Sequence, residues 1–275
     1  MGTLSVVATP IGNLEDVTLR ALRVLREADL LLAEDTRRTR HLLDRHGIAG
    51  RPRSLHAHNE AARAEEALAA LAAGSRVALV SDAGTPLVSD PGGRLVALAI
   101  EAGHKVEPVP GPSASLAALV ASGLPAERFS FVGFLPRKAG ERKARIAELA
   151  GRVDTLIFFE SPRRVAATLG ELAEALGARR ACVARELTKL HEEAVRGTLP
   201  ELTVHFAEGA RGEVTIVVEG TPGVAELPSP ERLRERVRSL VADGVSARDA
   251  AAQVASETGA PRRTLYAMAV EERSE

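Results

Sequence analysis

Ser81-Asp82-Ala83-Gly84-Thr85-Pro86 and Ser89-Asp90-Pro91-Gly92-Gly93 are the residues of this chain whose types and spacing best suit a ligand. Small side chains let backbone approach a bound molecule closely, and glycine reaches conformations that other residues resist. An apolar run at 77–80 precedes them, and the helical spacing of Leu95, Val96, Leu98 and Ala99 follows. Strand, small-residue loop, then helix N-terminus is how an open α/β sheet builds a crevice at the carboxyl ends of its strands. Such turns recur. Thr9-Pro10-Ile11-Gly12-Asn13 follows the apolar run 4–8, Glu34-Asp35-Thr36-Arg37 follows 30–33, and Pro110-Gly111-Pro112-Ser113-Ala114 follows 105–109. Neither G-x-G-x-x-G nor G-x-x-x-x-G-K-[ST] occurs, which argues against a dinucleotide fingerprint and an NTP-hydrolysing P-loop. No Cys/His spacing suits zinc and no G-x-S-x-G elbow is present, so no metal is expected. A nucleotide-like ligand held by backbone and small polar groups remains.

The elements that must position these turns alternate strand and helix through the first half, which predicts a mainly parallel, doubly wound sheet with its turns along one edge. A second unit begins near Gly123. Strands at 129–135, 155–159, 181–184, 193–196 and 213–218, with fewer helices between them, predict a mixed sheet. Residues 221–230, TPGVAELPSP, read as a linker. Beyond it three short helices follow, the second opened by a Ser246–Asp249 capping box, and two of them resemble a helix-turn-helix. The expected organisation is an α/β domain at 1–122, a second α/β domain at 123–220 completing a cleft, the linker, and a helical domain at 231–275.

Composition sets bounds on this reading. With 275 residues, 45% hydrophobic and 27% charged, the chain is of ordinary globular type. Aromatics are 3%, so stacking is not the main means of holding a ligand. A net charge of -1 announces no global attraction to nucleic acid, and any basic surface must be local. The single cysteine, Cys182, excludes an internal disulfide and fits a reducing compartment. The amino terminus lacks the pattern of a signal peptide and no run is long enough to span a bilayer, so a cytoplasmic protein is expected.

Six motifs in fixed order, ATPIGNLEDVTLRAL, LLAEDTRRTRHLL, SDAGTPLVSDPG, VPGPSA, FFESPRR and ARELTK, resemble the bacterial 16S ribosomal RNA cytidine 2'-O-methyltransferases of the tetrapyrrole methylase superfamily. The resemblance covers roughly residues 4–220, and the helical tail is similar to the C-terminal extension of those enzymes. Departures are Gly93, where an aromatic is common, and Arg163, where a histidine is often seen. The resemblance implies S-adenosylmethionine as cofactor, a two-domain fold with the cofactor cleft between domains, a homodimer, and 16S ribosomal RNA or the 30S subunit as partner. By position it implies cofactor contacts from Pro10, Ile11, Gly12, Asn13, Asp82, Ala83, Gly84, Thr85, Pro86, Ser89, Asp90, Gly111, Pro112, Ser113 and Ala114. Phe159, Glu160 and Glu186 would face them from the second domain.

Methyl transfer to a ribose hydroxyl needs a group that removes a proton or stabilises the charge that develops. Glu34, Asp35 and Glu160 stand at expected strand ends as candidate bases, and Lys189 or Arg185 could stabilise charge. Each could equally be a helix cap or an interdomain ion pair. For RNA, Arg137, Lys138, Arg142, Lys143 and Arg145 form a basic helical stretch, and Arg262 and Arg263 open the last helix. Phosphate and shape contacts are expected to dominate over base stacking. Two other readings stay open: a methylase of a small tetrapyrrole precursor, and a nucleotide- or RNA-binding module without catalysis.

Overall fold

The computed structural model describes residues 2–56, 58–221, 229–258 and 260–274. The chain divides into two compact units, Met1–Gly220 and Thr221–Glu275.

The first unit holds two sheets. β1 (Thr3–Val7), β2 (Leu30–Ala33), β3 (Arg53–Ser54), β4 (Arg76–Val80) and β5 (Lys105–Val109) form a sheet in the order β3-β2-β4-β1-β5, with every pairing parallel. β4 shows why it winds on both sides. Val77 and Leu79 pack with Leu4, Leu71 and Leu95 against α3 (Glu60–Ala72) and α4 (Gly93–Glu101). Ala78 and Val80 point the other way, to Leu25 and Leu43 of α1 (Leu19–Glu27) and α2 (Thr36–Arg45). An apolar residue at every position suits a strand covered on both faces, each buried leucine contributing about 1.5–3 kcal/mol. Pro108, which cannot donate to a ladder, sits on the edge strand β5. Strand order reverses around β1 and β4, and an open sheet of this kind carries its crevice at the carboxyl ends beside such a reversal.

β6 (Phe129–Phe134), β7 (Thr155–Glu160), β8 (Arg180–Arg185), β9 (Glu193–Thr198) and β10 (Val214–Val218) form the second sheet, ordered β6-β7-β10-β8-β9. It is mixed, with β6 parallel to β7 and β10 antiparallel to both its neighbours. Leu156, Phe158, Val183 and Ile216 face a core shared with α6 (Ala139–Leu149), α7 (Val165–Leu176) and α8 (Leu199–His205). Ile157, Cys182 and Val217 face α5 (Ala114–Ser122) through Ala118 and Leu119. Helix α5, which lies ahead of the expected boundary at residue 122, thus packs on the second sheet.

The second unit has α9 (Pro230–Ala242), α10 (Ala247–Thr258) and α11 (Arg262–Ser274) around Leu233, Val237, Ala250, Val254 and Leu265. The Asp249 amide donates to Ser246 Oγ at 3.2 Å, and that hydroxyl lies 2.6 Å from the Asp249 carboxylate, so the Ser246 cap forms. Residues 222–228 of the expected linker, and Gly259 of the expected turn, lie outside the described residues. Among the described residues no helix is long and apolar enough to cross a membrane.

Candidate active site

The loops that leave β1, β2, β4 and β5 are stitched into one surface by a few groups of the β4 loop. Gly84 and Thr9 exchange two backbone hydrogen bonds at 2.9 Å, tying the β4 loop to the β1 loop. The Asp35 amide donates to Asp82 Oδ1 at 2.7 Å, which brings in the β2 loop. Thr85 Oγ1 donates to the Pro112 carbonyl at 3.3 Å, which brings in the β5 loop. The loop is bent to do this: Gly84 has φ +77, and Leu87 and Ser89 hold φ values of 74 and 68. Left-handed backbone at non-glycine residues costs about 1–3 kcal/mol each and persists where surrounding contacts impose it.

Facing these loops, the second sheet supplies Phe134, Phe159, Glu160, Ser161, Pro162 and residues 212–215, closing a cleft of about 420 Å³. A register shift in β6 between Phe131 and Gly133 sets its aromatic wall. In a regular strand Phe131 and Phe134 would point to opposite faces. The extra residue lets both rings reach Phe159, at centroid distances of 4.9 and 5.7 Å. Next to the cleft, sharing Ile11, Arg38, Asp82, Ala83 and Glu213 with it, lies a second and more open hollow of about 620 Å³. Its walls also include Pro10, Gly12, Asp35, Arg37, His41 and Lys189.

The sequence signature of the tetrapyrrole (corrin/porphyrin) methylases matches residues 3–203, and that of the RsmI C-terminal HTH domain matches 228–273. The chain belongs to the tetrapyrrole methylase family. Among relatives of this methylase, the ribosomal RNA small subunit methyltransferase I of Mesorhizobium japonicum is 51% identical, the match covering 96% of this chain and 90% of the relative. The protein of the same name from Halalkalibacterium halodurans is 46% identical over 96% of this chain and 93% of its own. Among solved structures, uroporphyrin-III C-methyltransferase from Thermus thermophilus complexed with S-adenosyl homocysteine superposes with a TM-score of 0.56 at 25% identity. That match covers 78% of this chain and 97% of the other. The methyltransferase CobJ superposes with a TM-score of 0.60 at 25% identity, over 80% of this chain and 95% of the other.

Charge divides the methylase site. Five acidic residues, Glu34, Asp82, Asp90, Glu160 and Glu213, line the cleft, and the last two are taken up by partners within the protein. Burial, then the neighbouring Asp90 and Asp82, raises the Glu34 pKa. Burial raises Asp90 as well, against a Ser81 hydrogen bond that opposes the shift, and with Asp82 adding to it. A cleft that pushes two carboxyls upward is short of positive charge, and a cationic ligand relieves it. Lys189 is of the opposite kind. Burial alone would lower its pKa, but hydrogen bonds to Glu186 at 2.8 Å and Glu213 at 3.0 Å outweigh that and raise it, so it remains an ammonium.

Several sequence expectations are corrected here. Asp35 is a poor base: its carboxylate caps α2 and grips Arg37 at 2.7 Å, and the Arg37 side-chain and backbone hydrogen bonds hold its pKa down to about 2. Glu160 reaches the cleft wall, but its side chain is 1% exposed and is taken up by Thr168 Oγ1 and the Ser161 amide at 2.7 Å each, with Arg164 at 3.2 Å. These partners tie the end of β7 to α7. Glu186 does not line the cleft, because Lys189 and the Glu213 amide hold its carboxylate. Arg185 is paired with Glu193 at 2.5 Å. Pro86, Gly111 and Pro112 do not line it either. At Gly111 a Cβ would stand 3.1 Å from the Ala8 Cβ, a tight contact. Asn13 caps a short 3-10 turn, Leu14–Asp16, and lines a separate, shallower channel next to the open hollow.

Most cations of the expected RNA helix have partners within the protein. Arg142 of α6 is buried and bidentate to Glu171, at 2.6 and 2.7 Å. Lys138, Lys143 and Arg145 pair with Glu141, Glu174 and Glu148. Arg137 is exposed, as are Arg262 and Arg263 at the start of α11. Cleft residues that the sequence reading missed include Arg38, Val88, Phe134 and residues 212–215. For Phe134 the Gly133 before it was the available signal, since glycine inside a strand often marks a bulge.

Substituting the central glycine checks the cleft. A Cβ at Gly84 would lie 3.4 Å from Ile11 Cγ2, and its φ of +77 disfavours any other residue. Gly84→Val is expected to weaken S-adenosylmethionine binding at least tenfold by calorimetry, about 1.4 kcal/mol, and to lower the melting temperature by several degrees through the strained backbone.

Proposed function

We propose that this chain transfers a methyl group from S-adenosylmethionine to the 2'-hydroxyl of a cytidine ribose in the decoding region of 16S ribosomal RNA, acting as a cytoplasmic homodimer on the RNA or the 30S subunit. The observation that carries the reading is the pairing of a closed acidic cleft with an open hollow walled by Arg37, Arg38, His41 and Lys189. The near-full-length likeness to ribosomal RNA small subunit methyltransferases supports the same substrate class.

The cleft fits the cofactor. Its volume of about 420 Å³ falls in the range of small-molecule sites, about 300–1,000 Å³. Gly84 offers bare backbone, Phe134 and Phe159 an apolar wall, Ser113 the start of α5, and Glu34, Asp82 and Asp90 negative charge for a sulfonium and an ammonium. Ile11, Ala83, Thr85, Ser89 and Ala114 complete the cradle, and Pro10 and Gly12 border it from the open hollow. When bound, the cofactor supplies an electrophilic methyl on a positively charged sulfur.

The remaining chemistry belongs to the chain. Of the four candidates, Glu34 alone combines a place in the cleft with a raised pKa, so it takes the proton of the ribose hydroxyl. Lys189, kept charged by its two carboxylates, faces the hollow and stabilises negative charge developing on that oxygen. The fixed loops hold the acceptor in line with the transferred group, which supplies much of the rate gain.

Transfer of labelled methyl to 30S particles from a strain lacking the protein, to naked 16S RNA and to a tetrapyrrole precursor tests the assignment. Label in a 2'-O-methylcytidine of RNA alone is expected. Label in the tetrapyrrole, or in an RNA base, contradicts it. The carboxylates give a pH prediction as well. A cation in the cleft favours the ionised forms of Glu34 and Asp90, so binding releases protons. Affinity is highest above the raised pKa values and falls as pH drops through them. Calorimetry in buffers of different ionisation enthalpy reads the proton release, and uptake or no change contradicts the assignment.

A further inference from the structure

The open hollow does not end at Lys189. It continues into a shallower channel lined by Gly12, Asn13, Leu14, Glu15, Arg45, Thr188, Lys189 and Leu190. Gly12, Leu14 and Lys189 belong to both parts, and Arg38 belongs to both the hollow and the cofactor cleft. One continuous trough therefore leads from the cleft outward. One wall is helix α2. Arg38, His41 and Arg45 are three and four residues apart, which puts them on one face of that helix, spread over about 10 Å along its axis. The other wall is the β8–β9 loop, held rigidly by the left-handed residues Glu186 and Thr188 and by a hydrogen bond from the Asn13 amide to Thr188 Oγ1 at 3.0 Å.

Lys189 in this trough is taken up by Glu186 and Glu213, but the cations of α2 are more available. Arg38 stands 3.7 Å from Asp82, a loose pair, and its side chain is 58% exposed. Neither Arg45 nor His41 has a hydrogen-bond or ion-pair partner among the described residues, and both are exposed. Helix α6, the more basic stretch by sequence, differs: Arg142 is buried and Lys138, Lys143 and Arg145 each have a carboxylate. Cations already neutralised inside the protein attract a polyanion weakly, whereas unpaired ones in a groove concentrate the field.

We propose that this trough is the channel for the RNA strand, with Arg38, His41 and Arg45 on α2 contacting the backbone phosphates beside the acceptor ribose. The proposal rests on the RNA reading above and adds to it where the strand lies. The direction follows from the geometry: the acceptor nucleotide enters from the Arg45 end and reaches the cleft past Arg38. Leu190, with 93% of its surface exposed at the loop tip, flanks the entrance.

Equilibrium binding of an unmodified 16S RNA transcript, measured by filter retention over a series of potassium chloride concentrations, tests it. Arg45→Glu and His41→Ala/Arg45→Ala are compared with Lys138→Glu/Lys143→Glu on α6. Arg45→Glu is expected to weaken binding about tenfold or more at low salt and to reduce the slope of log K against log salt by about 0.7–0.9. Its affinity for S-adenosylmethionine and its melting temperature should match the wild type. The α6 variant is expected to keep both affinity and slope within twofold of wild type. An unchanged slope for Arg45→Glu, or a loss found only for the α6 variant, overturns the trough. Wild-type protein run in parallel for methyl transfer to 30S particles separates the two failures. If it methylates RNA and Arg45 has no effect, the trough alone is wrong; if it methylates no RNA, the substrate reading falls and the trough with it.

Discussion

Glu34→Gln is expected to slow methyl transfer by about two to four orders of magnitude while the cofactor still binds. The substitution keeps the shape of a side chain that lines the cleft but removes both its capacity to accept a proton and one negative charge facing the cofactor, so affinity also falls and the rate is read at saturating S-adenosylmethionine. Burial and the neighbouring Asp90 and Asp82 raise its pKa, so the wild-type rate should fall at the acid side as the carboxylate is protonated. In Glu34→Gln that acid limb should disappear, and a merely structural role for Glu34 would not produce this loss. Single-turnover rates across pH check it. A variant with a near-normal rate and the same acid limb would remove Glu34 from the chemistry. Asp35→Asn provides the contrast. Its carboxylate is ionised at every working pH because Arg37 holds its pKa to about 2, so no pH-dependent change in rate is expected from its loss.

The second large effect is on stability. Arg142→Ala is expected to destabilise the first unit by about 3 kcal/mol, because it strands the Glu171 carboxylate in a site where only 14% of that side chain meets solvent. The pair works in both directions: Arg142 holds the Glu171 pKa below its usual range, and the carboxylate holds the guanidinium up. Stability from this pair is present above the ordinary glutamate pKa and is lost as pH falls through the lowered one. Lys143→Ala, which breaks an exposed pair with Glu174, should cost less than about 0.5 kcal/mol. Urea unfolding of both variants measures the difference. Equal stability of the two, combined with loss of RNA binding in Arg142→Ala, would return α6 to the RNA surface.

Much of this architecture is written in short-range patterns. The runs at β1, β2 and β4 are apolar at nearly every position, as strands covered on both faces require, and the turns after them carry the residues that bend toward a ligand. Ser246 and Asp249 are likewise three apart and cap their helix as that spacing suggests. What was not legible depends on partners distant in sequence. Nothing near Arg142 shows that Glu171, 29 residues on, will bury and neutralise it. The Thr198–Glu201 capping box that opens α8, with Pro200 in its first turn, is a short-range pattern as well. Proline is tolerated in a first helical turn, where its missing N–H would have no partner. The face formed by Arg38, His41 and Arg45 can be counted in the sequence, yet only the fold sets it beside the β8–β9 loop.

The whole account depends on the strand-end loops of the first sheet and the aromatic wall of the second enclosing one methyl-donor site. A crystal structure with S-adenosylhomocysteine tests this most directly. The account predicts density between the 82–90 loop and Phe159, with the sulfur side turned toward the hollow walled by Lys189. Density anywhere else on the chain, or within the cleft but with the sulfur turned away from that hollow, would contradict it.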